Sequence, residues 1–454
     1  MPVQTATWLR ASGYRYQLRR MERALLGAAP DWAGPVPRGA LAAGCLLTVI
    51  ALVGCLLMSR LWPRPDLGDA RIVMGVSSGA LYVRVGDTWH PVLNLASARL
   101  IAAADADPLP VPESAIAHAK HGALLGIPGA PQLIAPPLPA QESAWTVCDG
   151  DGETTVLLGT ELPLGRVGAD RALLVAAGAG APAYLLYRGR RAVVDLADRG
   201  VVRALRLQGR VPHVVSRTLL NAVPEAPPVA VPRISGAGAP VGAWLPGFRV
   251  GDVLRITRAA GEDYYVVLSA GVQRISQVVA DVYRFNAGSE IITIAPGLLR
   301  AAPNVDPVAF AGIPDQVPSD AGGSTWCAVW APSSSGSPDV GFLTDPHGPA
   351  PGAVRLAQAD GRGPAVDTFA ITAGHSAYVA TQSQTGHGAR VDTRYLVTDT
   401  GVRFPIHDAE AAHLLGLPAT PASAPWPVLS SLPCGPELSR EKASVARDTI
   451  AGGP

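Results

Sequence analysis

The sequence predicts a single-pass membrane protein whose body is an α+β assembly of four small repeat modules around a central β-rich core closed by a disulfide. Three observations predict this fold class. Residues 39–59 form an uncharged apolar run between Arg38 and Arg60. After it, a pattern of strand, glycine turn, strand and helix returns four times. Two tryptophan-bearing segments, around Cys148 and Cys327, fall outside those four copies.

The bulk numbers fit a multi-part chain rich in turns. At 454 residues it exceeds what one core usually holds. Gly and Pro make up about 20% of it, and charged residues only 16%. With 48% apolar residues it has enough to fill cores, which argues against disorder. A net charge of +1 creates no field that would draw nucleic acid.

The head, residues 1–38, carries Arg10, Arg15, Arg19, Arg20, Arg23 and Arg38 against Glu22 and Asp31. Tyr14, Leu18, Met21 and Leu25 recur at the spacing of one helix face, while Arg15, Arg19 and Arg23 share another. Ser12 is the expected N-cap. Tyr14, Arg15, Leu18, Arg19, Met21 and Leu25 are therefore the residues expected to dock a cytoplasmic or membrane partner. The competing reading is a basic helix resting on anionic lipid headgroups.

The run 39–59 is about as long as a helix needs to be to cross ~30 Å of hydrocarbon. Basic flanks stay in the cytoplasm, which would place the body in the periplasm. Two alternatives compete. A secretory signal would have a shorter head and a small-residue cleavage site after the run. Leu52-Val53-Gly54-Cys55 resembles a lipobox, but Leu56-Leu57-Met58 continues the apolar run past the cysteine. Cys45 and Cys55 then read as apolar filling.

In the body, the β-like runs Ala80–Val83 and Trp89–Leu93 flank Gly86-Asp87, a hairpin signal, before the helical run Leu95–Leu100. The unit returns around Gly189, Gly271 and Gly401. Each time a tyrosine-bearing strand lies four to six residues before the turn glycine. Such recurrence means duplicated modules. Cys148, Cys327 and Cys434 lie in the body, where an oxidising compartment would bridge two of them. Trp145-Thr146-Val147-Cys148 and Trp326-Cys327-Ala328-Val329-Trp330 have similar surroundings, which favours Cys148 with Cys327. Two buried free thiols is the alternative. Cys434, in a Pro-Cys-Gly-Pro turn, is expected to be free.

The expected organisation is a cytoplasmic head over 1–38, a span over 39–59, a linker over 60–71 and a first module over 72–130. The core's first part is 131–165. A second module covers 166–225 and a third 226–309. The core's second part is 310–355, followed by a fourth module over 356–420 and a tail over 421–454, loose beyond Leu438.

No catalytic, cofactor or metal constellation emerges. Neither Lys120 nor Lys442 lies in a Gly-x-x-x-x-Gly-Lys-Ser/Thr loop. Gly178-Ala179-Gly180 and Gly236-Ala237-Gly238 begin like a dinucleotide fingerprint, but Ala183 and Val241 replace the last glycine. Gly374-His375-Ser376-Ala377-Tyr378 fails the nucleophile-elbow pattern. His118 and His121 lack companions for a metal set.

Several ordered blocks resemble the EccB family of type VII (ESX) secretion systems. They include Ser12–Glu22, Ser78–Tyr82, His90–Leu100, Leu125–Pro131, Trp145-x-x-Cys148-Asp149, Tyr264–Gln273 and Tyr395–Val402. The resemblance implies a structural, membrane-anchored core subunit in the bacterial inner membrane. Its partners would be the motor ATPase EccC, EccD, EccE, further EccB copies and membrane lipid. It would scaffold the periplasmic side and dock to the motor through its head. It also implies that Cys148 and Cys327 are the family's disulfide, with no role for Cys434. An ATPase label in the family raises a second reading, an ATP hydrolase. Repeats said to be like phage-lysin wall-binding modules raise a third, in which tyrosine or tryptophan faces hold peptidoglycan.

Overall fold

A computed structural model describes residues 8–26, 38–61, 67–159, 165–230, 233–305, 313–345, 353–382 and 393–448, apart from positions 260, 289, 316, 318 and 321 and the stretch 334–337. Met1–Asp66 and Leu67–Pro454 are two compact units, each described by itself.

Among the described residues the first unit has two helices. The head helix runs Trp8–Leu25. It begins before Ser12, so that serine lies inside the helix and is not its cap. The second helix, Arg38–Leu61, has 24 residues, about 36 Å at 1.5 Å per residue. Leu46, Leu47, Val49, Ile50, Ala51, Leu52, Val53 and Cys55 are exposed, and at those spacings they face every direction around the axis. Side chains of this helix are described from 42 to 55. Among the described residues no helix is long and apolar enough to cross a membrane.

Among the described residues the second unit holds four small sheets and one large one. The first small sheet takes Ile72–Gly75, Leu81–Val85, Thr88–Val92 and, after the helix Leu95–Ala102, Leu109–Val111. The second takes Arg171–Ala176, Ala183–Tyr187, Arg190–Val194 and, after the helix Arg199–Ala204, His213–Val214. The third takes Val253–Arg258, Gly261–Leu268, Gly271–Ile275 and, after Gln277–Ala287, Ile292–Thr293. The fourth takes Ala377–Gln382, Arg394–Val397, Arg403–Ile406 and, after Ala409–Leu414, Ala422–Pro425.

One strand order serves all four sheets. The second strand lies between the third and the first, both antiparallel to it. The fourth lies on the far side of the first and parallel to it. A parallel neighbour needs a crossover, and the helix supplies it. Beyond the fourth strand the chain returns to lie parallel beside the third, at Leu125, Val229, Asn304 and Leu438.

Local chemistry starts and stops these elements. Gly86, Gly189, Gly271 and Gly401 have positive φ where the second strand turns into the third. At Gly189 any Cβ would collide with the Val340 carbonyl oxygen. Asn94, Asp198, Ser276 and Asp408 cap the four helices, each accepting from a backbone N–H of the first turn.

The large sheet has seven strands. Trp145–Gly150 lies between Glu153–Leu158 and Thr325–Ala331, with Asp339–Asp345 next. It also takes Thr368–Ile371, parallel to Glu153–Leu158, although that stretch lies within the 356–420 expected for the fourth module. Its core face presents Trp145, Val147, Val156, Leu158, Trp326, Ala328 and Trp330 to residues of the second and fourth small sheets. Sheets two and three share another core, and sheets one and four a third.

The C-terminal stretch departs from expectation. Beyond Leu438, Arg440–Ala443 is a helix capped by Ser439, and Ala446–Arg447 pairs with Leu124–Leu125. Ala443 is fully buried with the first sheet, so burial and an open sheet edge order a segment whose composition alone reads as loose.

Candidate functional site

The chemistry of the body concentrates on the large sheet. In its antiparallel register Cys148 stands opposite Cys327, and Trp145 opposite Trp330. Directly opposed positions bring Cβ atoms to bonding range. The two cysteines are joined, with Cα atoms 4.0 Å apart and a sequence separation of 179. Leu157, Leu343 and Ala370 pack around the bridge. Cys45, Cys55 and Cys434 are free and exposed.

One step along the register, Asp149 opposes Trp326, and there the sheet opens on a cleft of about 730 Å³. Its walls come from the turn 150–154, from residues 213–217, where the last strand of the second small sheet leads into the helix Arg217–Ala222, and from the loop 361–364. Both oxygens of the Asp149 carboxylate are engaged. It accepts from Ser216 N–H at 2.6 Å and Thr154 Oγ1 at 2.9 Å. Burial pushes its carboxyl above the ordinary 3.8, and those two donors and their hydrogen bonds pull the other way. Asp367, fully buried behind it, accepts from the N–H groups of Thr154, Asp360 and Gly361. Glu153 accepts from Arg355 at 2.6 Å. Arg217 and Arg362 also line the cleft, and among the described residues neither has a hydrogen-bond or ion-pair partner. The His213 and Trp326 rings lie 5.8 Å apart between centroids.

On the head helix Tyr14, Leu18, Met21 and Leu25 are exposed, as are Arg15 and Arg19. The helix presents an apolar stripe beside a basic one.

The motifs weighed in the sequence have ordinary structural places. Gly178 and Gly180 sit in the turn between the first two strands of the second sheet, with no helix following. Lys442 Nζ pairs with Glu437 at 2.6 Å. Ser376 Oγ donates to the Ala135 carbonyl at 2.6 Å and is buried. His118 and His121 donate to the Ser114 and Ile116 carbonyls. Among the described residues no three His, Cys, Asp or Glu side chains converge as a metal set would. Tyr187, Tyr264 and Tyr395 are buried, so these three offer no open ring face to a sugar. The cleft is the feature that sequence reasoning missed. Its parts, at 149–154, 213–217, 326 and 361–364, are far apart along the chain.

The model of the family described as "Type VII secretion system ESX-1, transport TM domain B" matches residues 3–452. The chain is 36% identical over 450 residues to the ESX-3 secretion system ATPase EccB3 of Mycolicibacterium smegmatis, covering 90% of this chain and 84% of that protein. It resembles a chain in a solved structure of an intact ESX-5 inner membrane complex, with a TM-score of 0.74 and 31% identity, covering 100% of this chain and 98% of that one. It also resembles a structure of the EccB3 dimer from the ESX-3 core complex, with a TM-score of 0.71 and 33% identity, covering 83% of this chain and all of that one.

Proposed function

The chain belongs to the EccB family of type VII secretion systems, and on that premise we propose that it is a structural core subunit of an ESX inner membrane complex. The observation that carries the proposal is the match over the whole chain to a component of such a complex.

Residues 39–59 act as the single membrane span, the head lies in the cytoplasm and the body in the periplasm. Two features support this: the 24-residue helix Arg38–Leu61 with apolar side chains exposed all round it, and the basic head before it. The body consists of four copies of one module around the disulfide-closed sheet, a reading supported by the single strand order of the four small sheets. Its role is to scaffold the periplasmic side with further copies of itself. The head docks to the motor ATPase EccC and lies beside EccD and EccE, through Tyr14, Leu18, Met21 and Leu25 with Arg15 and Arg19.

The docking is tested by extracting the complex in mild detergent with L18A/M21A and R15E/R19E variants. Loss of the motor with the body's assembly kept is the expected result. Unchanged motor recovery with both variants would end the docking assignment.

A second reading, ATP hydrolysis, rests on the names of relatives such as the ESX-3 ATPase EccB3. ATP would then be the cofactor. Neither Lys120 nor Lys442 lies in the loop that cradles phosphates. A turnover assay on the purified chain against an unrelated protein from the same preparation separates the two readings.

A further inference from the structure

The cleft beside the disulfide leaves three of its charged side chains, Arg217, Arg362 and Asp151, without a partner among the described residues. Asp149, Asp367 and Glu153 are all engaged by donors. The unengaged cations are Arg217, on the second small sheet's wall, and Arg362, on the loop wall. Two guanidiniums without protein partners match carboxylate geometry.

A strand edge lies along the same wall. His213–Val214 is the outermost strand of the second sheet in this region. Val215 N–H donates to the Ala176 carbonyl, so the ladder uses residues 213 and 215 and the Val214 amide faces outward. Val211 and Val214 are 82% and 73% exposed, an apolar surface beside an unpaired edge. Open edges of this kind accept extended peptides.

We propose that the cleft binds an extended peptide bearing carboxylates. Its backbone pairs with Val214, its apolar side chains cover the exposed Val214 side chain, and its carboxylates bridge Arg217 and Arg362. Asp151, exposed at the turn, also lines the cleft. This assignment stands apart from the secretion-subunit reading, since it concerns one cleft of the body and needs no other component.

The test uses full-length protein in detergent with fluorescein-labelled Val-Asp-Val-Asp-Val-Asp as the probe, read by anisotropy. Saturable binding is expected, with R217A and R362A each weakening it about tenfold or more. Sodium acetate at the same carboxylate concentration should fail to compete. R217E/R362E, both on exposed side chains, should lose this peptide and take Val-Lys-Val-Lys-Val-Lys instead. No saturable binding, equal binding by wild type and R217A/R362A, or full competition by acetate would each overturn the proposal.

Discussion

At the residue scale, the Cys148–Cys327 bridge and Asp149 beside it carry most of the argument. The bridge joins strands that are already paired, and it closes a loop with a sequence separation of 179. In the chain-entropy account such a link restricts the unfolded chain, and losing a native bridge costs about 2–5 kcal/mol. C148A/C327A should therefore lower the unfolding free energy read from the denaturant transition by that amount and move its midpoint down, and reductant should do the same to wild type once unfolding exposes the bridge. A midpoint unchanged by the double substitution would show that the sheet holds itself. Asp149 sets a pH dependence. Burial raises its carboxyl above 3.8 in the folded chain, so the native state holds the proton more tightly than the unfolded one. Its contribution to stability is complete at low pH and falls as pH climbs through the window that begins near 3.8. D149N stays neutral across that window. The thermal midpoint of wild type relative to D149N should fall with rising pH there. A flat or rising difference would mean that the donors Ser216 and Thr154 outweigh burial.

At the scale of elements, the C-terminal segment is a working part of the first sheet. Glu437 accepts from His407 Nδ1–H and pairs with Lys442, Ser439 caps the helix 440–443, and Arg447 Nε–H donates to the Gly126 carbonyl. Deleting 440–454 should leave hydrogen exchange in the third sheet unchanged and speed it at Leu124–Gly126. Equal protection at 124–126 in both proteins would show that the strand 446–447 adds nothing. The elements differ in how legible they are. The tyrosine strand, turn glycine, third strand and helix of each sheet are readable, because a positive-φ glycine and a change from two-residue to helical period mark them locally. The first and fourth strands are not. Ile292–Thr293 and His213–Val214 are two residues long and carry no period. Thr368–Ile371 reads as part of a module and joins the large sheet instead, since only the parallel partner Glu153–Leu158 places it there. The cysteine pair was readable from matching surroundings. The cleft was not, because Arg217 and Arg362 gain a common purpose only when three distant segments meet.

At the scale of the whole molecule, two small sheets share each outer core, and the large sheet's core draws on the second and fourth. The central claim is that this chain acts as a built-in part of a larger membrane machine. The most direct measurement is mild-detergent extraction of membranes carrying the tagged full-length chain, followed by a native gel and mass spectrometry of the band. The account predicts one large assembly containing several copies of the chain together with a membrane ATPase of the secretion system. Recovery of the chain alone, or only as a homodimer, would contradict it.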